Sequence, residues 1–405
     1  MTTILVISEH YWPGDGGELA THLIVNMLSK KFDIIVITGT ENPAKLPKVA
    51  YIYEPLLSKQ EKNILWLNTL RLARTQRFEG LLRESDIVYV PRFAFSIIPY
   101  AKRMKKKVVV HLHGYIPISY TATILAPYEE HKHRITRDDI ELECMKGLKH
   151  CLGVNLLWWL PRLARRWISQ ADKVACVSRR QAEIIASQVP GLKGKVEVIY
   201  NPLPPELANA EPRKDLDSVP TFLYVGGDSY IKGFHILLQA LNKLGKQGFK
   251  VSFILTNKYS HQSLEMLKKL SEKYSSLNIQ LLGRVEYSKL KELHRKTWAL
   301  LFPSIWEEPL PYAVLEASIL GTIPIASAVG GVPELLGRTI TQRYMVSPGS
   351  VEDLVKRVTE ICSLGVNDVM VLGYKLREEM LQRLDLNRIE GRVFEIFGST
   401  KEANA

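Results

Sequence analysis

Two carboxylates with a defined spacing are the residues of this chain most suited to chemistry. Glu308 lies in a proline-rich loop after the apolar run 299–302, and Glu316 follows it within the segment 303–321. Paired carboxylates act as acid and base in enzymes that cleave glycosidic bonds. The alternative is a site for a phosphate-bearing ligand, because the loop leads into a helix whose N-terminus attracts anions.

The prolines of this segment define where its helix begins. Pro309 and Pro311 exclude helix from the loop, since each lacks a backbone N–H and fixes φ. Pro311 suits the first turn of the helix that follows, and Gly321 suits its C′ position. Glu316 is therefore predicted on the second turn of a helix, and Glu308 in the loop before it.

Apolar runs that alternate with helical patterns predict the elements that position these residues. Strands bounded by such patterns are typical of parallel sheets with helices on both faces. The predicted strands are 4–8, 33–38, 86–90, 107–112, 173–177 and 196–200 in the first half, and 221–225, 251–255, 279–282, 299–302 and 323–327 in the second.

The length of the chain predicts two domains. A chain of 405 residues exceeds what one core usually supports. We predict an α/β protein with two Rossmann-like, doubly wound domains at 1–205 and 217–384, joined within the proline-rich stretch 202–220. Ligand sites lie at the carboxyl ends of such sheets, so the two domains are expected to face a central cleft.

Composition limits the class of protein. With 46% hydrophobic and 24% charged residues, the chain is globular rather than disordered. The N-terminus predicts a strand rather than a signal peptide, and no apolar run approaches the roughly 18 residues of a membrane span. A net charge of +12 favours anionic partners. Four cysteines without C-x-x-C spacing predict reduced thiols in a cytoplasmic protein.

Several glycine-containing motifs occur in a fixed order along both halves, and together they resemble the retaining glycosyltransferases of family 4. These enzymes use nucleotide sugars and have the GT-B fold. The motifs are Gly16-Gly17, His113-Gly114, Asn201-Pro202, Gly226 with Lys232-Gly233, Gly283-Arg284-Val285, Glu308 with Glu316, and Gly330-Gly331 with Pro333-Glu334.

The resemblance implies a reaction and a separate binding role for each domain. The second domain would bind the nucleotide diphosphate sugar, with UDP or GDP as the nucleotide, and the first an acceptor. A hexosyl group would pass, with retention of anomeric configuration, to a glycan, lipid-linked or small-molecule acceptor. A final helix at 385–400 would cross back to the first domain. No nucleic-acid-binding module is visible.

The resemblance also assigns residues in the donor site. His113 would contact the donor sugar near the bond being broken, and Glu316 would accept hydrogen bonds from ribose hydroxyls. The loop after Glu308 would bind sugar hydroxyls through main-chain N–H groups. Since prolines supply none, Leu310 and Tyr312 are the donors left in this loop.

Basic and small residues complete the predicted donor site. The ammonium of Lys232 can neutralise charge on a leaving diphosphate, and Gly16 and Gly17 allow backbone N–H groups to approach a ligand closely. The family usually has an arginine where this chain has Gly227, so one phosphate contact is missing.

Two roles in the donor site are open for the loop that contains Arg284 and Val285. Arg284 could replace the missing phosphate contact, or the loop could contact the nucleoside through backbone groups.

A metal site is the alternative for His113. Alternation along the strand puts His111 on the same face, and two histidines can begin a zinc site. No third ligand is evident in the sequence. We expect no metal and no other cofactor, because fixed protein charge can take the role that Mg²⁺ has in other enzymes.

A basic and aromatic stretch at 156–167, with a second basic run at 102–107, predicts a peripheral membrane surface on the inner, cytoplasmic face. The competing interpretation is a packed helix with a solvated basic side. Two other functions also stay open: a nucleotide-sugar epimerase on the same fold, and a non-catalytic nucleotide-sugar-binding protein.

Overall fold

The computed structural model describes residues 2–12, 14, 16–58, 61–129, 134–210 and 214–398. The chain divides into two compact units, the first formed by Met1–Ile124, Glu130–Pro202 and Leu386–Ala405, and the second by Leu125–Glu129 and Leu203–Asp385. The predicted domain 1–205 thus contains two short stretches, Leu125–Glu129 and residues 203–205, that the structure groups with the second unit. Residues 211–213 of the predicted connection lie outside the described residues.

The first unit contains a parallel sheet with the strand order β3-β2-β1-β4-β5-β6-β7. The central strands consist almost entirely of buried residues, because helices cover both faces of a doubly wound sheet. The strands are β1 (Thr3–Ser8), β2 (Asp33–Thr38), β3 (Val49–Tyr53), β4 (Ile87–Val90), β5 (Lys107–Leu112), β6 (Lys173–Cys176) and β7 (Val196–Val198).

Helices connect these strands. Among the described residues they are α1 (Gly16–Leu28), α2 (Lys62–Leu72), α3 (Gln76–Glu84), α4 (Ile98–Arg103), α5 (Ile135–Cys144), α6 (Leu148–Leu157), α7 (Leu160–Ile168) and α8 (Arg179–Gln188). The Ser178 hydroxyl caps α8 by accepting from the Gln181 N–H at 3.2 Å. The Gln181 side chain accepts from the Val177 N–H instead of reaching back to Ser178.

The second unit contains a six-stranded parallel sheet with the order β10-β9-β8-β11-β12-β13. Its strands are β8 (Thr221–Tyr224), β9 (Val251–Thr256), β10 (Leu277–Gly283), β11 (Ala299–Phe302), β12 (Ile323–Ser327) and β13 (Met345–Val346). The prediction of an α/β protein with two doubly wound sheets is confirmed.

The helices of the second unit include those that border the predicted donor site. They are α9 (Pro205–Ala208), α10 (Phe234–Gln247), α11 (His261–Lys273), α12 (Tyr287–Lys296), α13 (Tyr312–Ile319), α14 (Val332–Leu336), α15 (Val351–Cys362) and α16 (Val366–Arg383). Pro311 is the N-cap residue of α13 rather than part of its first turn, and Gly321 follows its C-cap with φ +70°.

The last described helix, α17 (Leu386–Phe397), belongs to the first unit. It packs beside α1, and its Phe397 ring meets the ring of Tyr89 edge-on at a centroid distance of 4.9 Å. Residues 399–400 of the predicted final helix lie outside the described residues. None of the helices in the described part of the chain combines the length and apolarity needed to span a bilayer.

The prediction that all four cysteines are reduced is wrong. Cys144 at the end of α5 and Cys151 in α6 form a disulfide, while Cys176 and Cys362 are free. The bond is possible because the chain turns back between the two helices, which the sequence spacing does not reveal. The cysteine argument for a cytoplasmic location therefore no longer holds.

A buried carboxylate fixes α5 to the loop that follows β5. Asp139 accepts hydrogen bonds from the Ser119 hydroxyl at 2.7 Å and from the Tyr120 N–H at 2.7 Å. It also accepts from the N–H and the hydroxyl of Thr121, at 3.0 and 2.6 Å. Because a buried carboxylate needs such donors, this contact sets both the helix position and the loop conformation.

We predict that Asp139→Ala lowers the free energy of unfolding by roughly 2–4 kcal/mol, because it leaves several buried donors unpaired. Urea denaturation of the variant and the wild type measures the difference. Glu141→Ala is the control, since Glu141 is exposed and pairs with exposed Arg137 in the same helix. Equal loss of stability in the two variants would contradict the anchoring role of Asp139.

Candidate functional site

The second unit has a topological switch point between β8 and β11. From β8 the chain continues to β9 on one side, whereas β11 pairs with β8 on the other side. Ligands of open parallel sheets bind at the carboxyl ends of the strands beside such a point. Lys232 lies in the loop that follows β8, and Glu308 lies in the loop that follows β11.

These two residues form an ion pair. Lys232 Nζ lies 2.6 Å from Glu308 Oε1, and both side chains are largely shielded from solvent. The ammonium also lies over the rings of Trp306 and Phe302, at 5.6 and 5.8 Å from their centroids. The Ser304 hydroxyl is within 3.4 Å of Glu308 Oε2. A fixed positive charge therefore stands at the switch point of the sheet, held by a carboxylate.

Gly233 allows the two loops to meet. Its φ is +76°, and a Cβ at this position would lie 1.8 Å from the carbonyl oxygen of Pro303. Only glycine accepts both the backbone conformation and the contact. Gly233 is also the N-cap residue of α10, so the same residue begins the helix and brings Lys232 beside the loop after β11.

The backbone explains why Gly227 replaces the arginine that is usual in the family. Gly227 has φ +60°, and a Cβ here would lie 2.8 Å from the carbonyl oxygen of Lys258. An arginine would be strained in this loop conformation. The loop conformation thus disfavours any side chain at position 227.

Glu316 is buried on α13, as expected from its apolar neighbours in the sequence. Burial raises the pKa of its carboxyl group from 4.5 to about 7, and a hydrogen bond with the Tyr287 side chain opposes this rise. Burial and the nearby Glu316 carboxylate raise the pKa of Tyr287. Glu308 and Glu316 thus have different partners, a lysine and a tyrosine. Sequence analysis did not identify Tyr287.

Glu307 is a second residue that sequence analysis missed. Its carboxylate is buried and accepts from the Gly330 N–H at 2.8 Å and from the Tyr128 N–H at 2.7 Å. The carbonyl oxygen of Glu308 accepts from the Gly331 N–H at 3.0 Å. These bonds join the loops after β11 and β12 and the segment Leu125–Glu129. From the sequence alone, nothing distinguishes the loop-fixing role of Glu307 from the role of its neighbour Glu308.

The other predicted donor-site residues of the second unit lie in the loops after β10 and β11. Leu310 is buried, and Tyr312 is the partly buried first residue of α13. Arg284 is exposed directly after β10, and Val285 is partly buried beside it. Arg284 is thus placed on the surface, while the carboxylates and Lys232 are largely buried.

The first unit has its own switch point, between β1 and β4, and an ion-pair cluster lies there. Arg92 follows β4, and its Nε lies 3.0 Å from Glu9 Oε1 in the loop after β1. Arg92 Nη1 lies 2.9 Å from Glu18 Oε1 in the first turn of α1. Sequence analysis missed all three residues, because single charges far apart in the chain form no motif.

The structure brings Gly17 and His113 together in the first unit. A Cβ on Gly17 would lie 3.4 Å from Cβ and Cγ of His113, so the turn that begins α1 at Gly16 fits closely against the imidazole. His113 Nε2 is buried and has no hydrogen-bond partner within the described part of the chain. Burial lowers the pKa of His113 well below its usual value, with His111 and Arg92 adding to the effect.

His111 shares the face of β5 with His113, as the alternation predicts. Its Nδ1 lies 3.0 Å from the Tyr89 hydroxyl, and the two imidazole centroids are 4.4 Å apart. Burial lowers the pKa of His111 to about 3, so both rings are neutral near pH 7. Among the described residues, no group of three histidine, cysteine or acidic side chains forms a metal-binding cluster.

Family models match both halves of the chain. The model described as Glycosyltransferase Family 4 matches residues 14–207, and that described as Glycosyl transferases group 1 matches residues 209–380. No protein with a curated description matches the chain in sequence.

Solved structures share the fold over the whole chain. Sucrose-phosphate synthase of Thermosynechococcus elongatus is 16% identical with a TM-score of 0.71, and 100% of each chain is covered. Anabaena HepE in complex with UDP and glucose is 17% identical with a TM-score of 0.67, over 98% of this chain and 100% of that one. An E. coli trehalose-6-phosphate structure bound with UDP-2-fluoro glucose is 12% identical with a TM-score of 0.70, over 98% and 100%.

We predict that the stability of Glu316→Gln relative to the wild type increases with pH. In the folded wild type the pKa of the Glu316 carboxyl is raised from 4.5 to about 7. Between these pH values the folded state binds a proton that the unfolded state does not. The wild type therefore loses stability as pH rises through this range. Glutamine does not titrate. The difference in unfolding free energy should grow by up to about 3 kcal/mol between pH 4.5 and 7.5.

Urea denaturation at several pH values measures this change. Glu265→Gln, at an exposed position of α11, is the matched control. A difference between Glu316→Gln and wild type that stays constant with pH would contradict the raised pKa.

Proposed function

We propose that this chain, which belongs to the group 1 glycosyltransferases of the GT-B architecture, transfers a hexosyl group from a nucleotide diphosphate sugar with retention of anomeric configuration. The pair of Lys232 and Glu308 at the switch point of the second sheet is the observation that carries the proposal. An ammonium held at the strand ends is suited to a diphosphate, since it offers positive charge where the leaving group gains negative charge.

UDP is the nucleotide that the comparisons favour. HepE of Anabaena was solved with UDP and glucose, and the E. coli structure with UDP-2-fluoro glucose. At this low sequence identity, the likeness shows the fold and not the ligand. A GDP-sugar is therefore the second donor to be tested. The acceptor is a glycan, a lipid-linked molecule or a small molecule with a free hydroxyl.

In the proposed reaction, an acceptor hydroxyl oxygen forms a bond to the anomeric carbon as the bond from that carbon to the diphosphate oxygen breaks. The acceptor proton passes to a phosphate oxygen of the donor. Lys232 stabilises the departing diphosphate, and Glu308 positions the lysine through the 2.6 Å contact. We propose that this fixed charge makes a metal ion unnecessary.

Glu316 is proposed to accept hydrogen bonds from the ribose hydroxyls of the donor. This role needs the carboxylate, and the pKa of about 7 means that deprotonation occurs near neutral pH. Tyr287 then holds one face of the carboxylate in place. The Leu310 and Tyr312 N–H groups, Arg284 and Val285 are proposed as further donor contacts in the same unit.

His113, Gly16 and Gly17 of the first unit are proposed to contact the donor as well. The unpaired, buried Nε2 of a neutral His113 supports this role, because a buried polar atom without a partner is costly unless a ligand supplies one. Gly17 lies close to the ring, where a larger residue would press against the imidazole.

An acceptor assay tests the reaction against its two alternatives. The purified chain is incubated with UDP- or GDP-sugars and with lipid and glycan acceptors, in the presence of EDTA. We expect nucleotide release that depends on acceptor and a product with retained anomeric configuration. Interconversion of the free sugar nucleotide would identify an epimerase, and binding without turnover would identify a non-catalytic binding protein. Loss of turnover on adding EDTA would contradict the metal-free mechanism.

We predict that Lys232→Ala reduces kcat by about a hundredfold or more, because the leaving diphosphate loses its counter-charge. Lys269→Ala removes an exposed lysine of α11 and should leave kcat unchanged. Steady-state kinetics gives both values, and urea denaturation checks that each variant is folded. A folded Lys232→Ala variant with wild-type kcat would remove Lys232 from the mechanism.

A further inference from the structure

Helix α6 of the first unit carries a row of exposed leucines. Leu148, Leu152 and Leu156 are spaced four residues apart and are 75%, 56% and 73% exposed. Met145, 62% exposed, continues the row before the helix, and Trp159, 40% exposed, continues it beyond. We call these five residues the α6 ridge. Single exposed leucines are ordinary, but a contiguous apolar row on a helix marks an interaction surface.

The stretch of sequence that carries the α6 ridge has a net positive charge. No aspartate or glutamate occurs between Glu143 and Asp172, whereas Lys146, Lys149, Arg162, Arg165 and Arg166 do. Of these, Lys146, Lys149, Arg162 and Arg166 are exposed. Lys146 is paired with Glu143 at 2.6 Å. The segment therefore offers exposed apolar side chains together with a net positive charge.

Tryptophans lie at the junction between the apolar and the basic residues. Trp158 and Trp159 are 39% and 40% exposed, and the Arg162 guanidinium lies over the Trp158 ring at 4.5 Å from its centroid. An amphipathic ring next to a cation is suited to the headgroup region of a bilayer, where one side of the ring meets acyl chains and the other meets phosphate.

We propose that the α6 ridge docks on the surface of an anionic lipid bilayer. The leucines and Met145 enter the boundary between headgroups and acyl chains, and the basic residues contact lipid phosphates. Charge complementarity selects this occupant over a second copy of the chain. A symmetric contact would place the basic set of one copy against that of the other, with no acidic residue between Glu143 and Asp172 to offset the repulsion.

The α6 ridge is held firmly to the rest of the first unit. The disulfide between Cys144 and Cys151 joins α6 to α5, and Asp139 of α5 is bonded to the loop at Ser119, Tyr120 and Thr121. That loop follows β5 and His113. Docking would thus orient the unit that contains His113 at the membrane. Membrane docking requires no nucleotide sugar, so the proposal goes beyond the proposed reaction.

Vesicle flotation with the double variant Leu152→Ser/Leu156→Ser tests the proposal. The probes are vesicles of phosphatidylcholine with about 30% phosphatidylglycerol and vesicles of pure phosphatidylcholine. We expect the wild type to float with the anionic vesicles, less so at high salt, and not with the neutral ones. The double variant should bind the anionic vesicles at least about tenfold more weakly, since it removes two of the inserted side chains.

The matched control replaces two exposed apolar residues of the second unit, Leu264→Ser/Val371→Ser, which are 38% and 50% exposed. It should bind vesicles as the wild type does. A second variant, Arg162→Gln/Arg166→Gln, should lose the preference for anionic vesicles while keeping the leucines. Circular dichroism and UDP binding by calorimetry are measured on all variants, so that loss of folding or of the donor site is distinguished from loss of docking.

Three outcomes would overturn the proposal. The wild type could fail to bind anionic vesicles, or the leucine variant could bind them as tightly as the wild type. The wild type could also be a dimer by gel filtration while the leucine variant is a monomer, which would make the α6 ridge an interface between copies. Vesicle binding by a wild type that binds neither UDP nor GDP would uphold docking and contradict the proposed function instead.

Discussion

The ion pair between Lys232 and Glu308 is the interaction on which the second unit's site depends. Its ammonium lies at the switch point of a parallel sheet, within 2.6 Å of a carboxylate and over two aromatic rings. The carboxylate gives the ammonium a partner of opposite charge at hydrogen-bond distance. The rest of the local structure serves this arrangement: Gly233 permits the approach of the loops, and Glu307 fixes the loop that carries Glu308.

A pair held in this way has two functions in one geometry. Without a donor, the Glu308 carboxylate accepts a hydrogen bond from the Lys232 ammonium and holds it in place. In the proposed reaction, the oxygens of a bound diphosphate would share the ammonium with Glu308, so that the charge is already oriented and little reorganisation is needed. Glu308 is then a positioning residue, which differs from the acid or base role that its spacing from Glu316 first brings to mind.

Sequence predicted the elements well where periodicity was strong, and the motifs where glycine or proline constrained the backbone. The strands around 4–8 and 299–302 and the left-handed Gly321 all follow from local chemistry. Partners could not be predicted in the same way. The contacts of Glu307 with the Tyr128 N–H and of Arg92 with Glu9 join residues remote in sequence, and they depend on which loops a sheet brings together. The disulfide of Cys144 and Cys151 depends likewise on a helical turn-back.

Because the segment Leu125–Glu129 belongs to the second unit, it affects how that unit can be expressed as a separate fragment. A fragment that starts at residue 203 omits the backbone N–H of Tyr128, which bonds to the buried carboxylate of Glu307. It also omits the short pairing of Leu125 with Trp306. Such a fragment would lose native support in the loop that carries Glu308. The second unit of this chain is therefore discontinuous, and a fragment that preserves it must contain both of its parts.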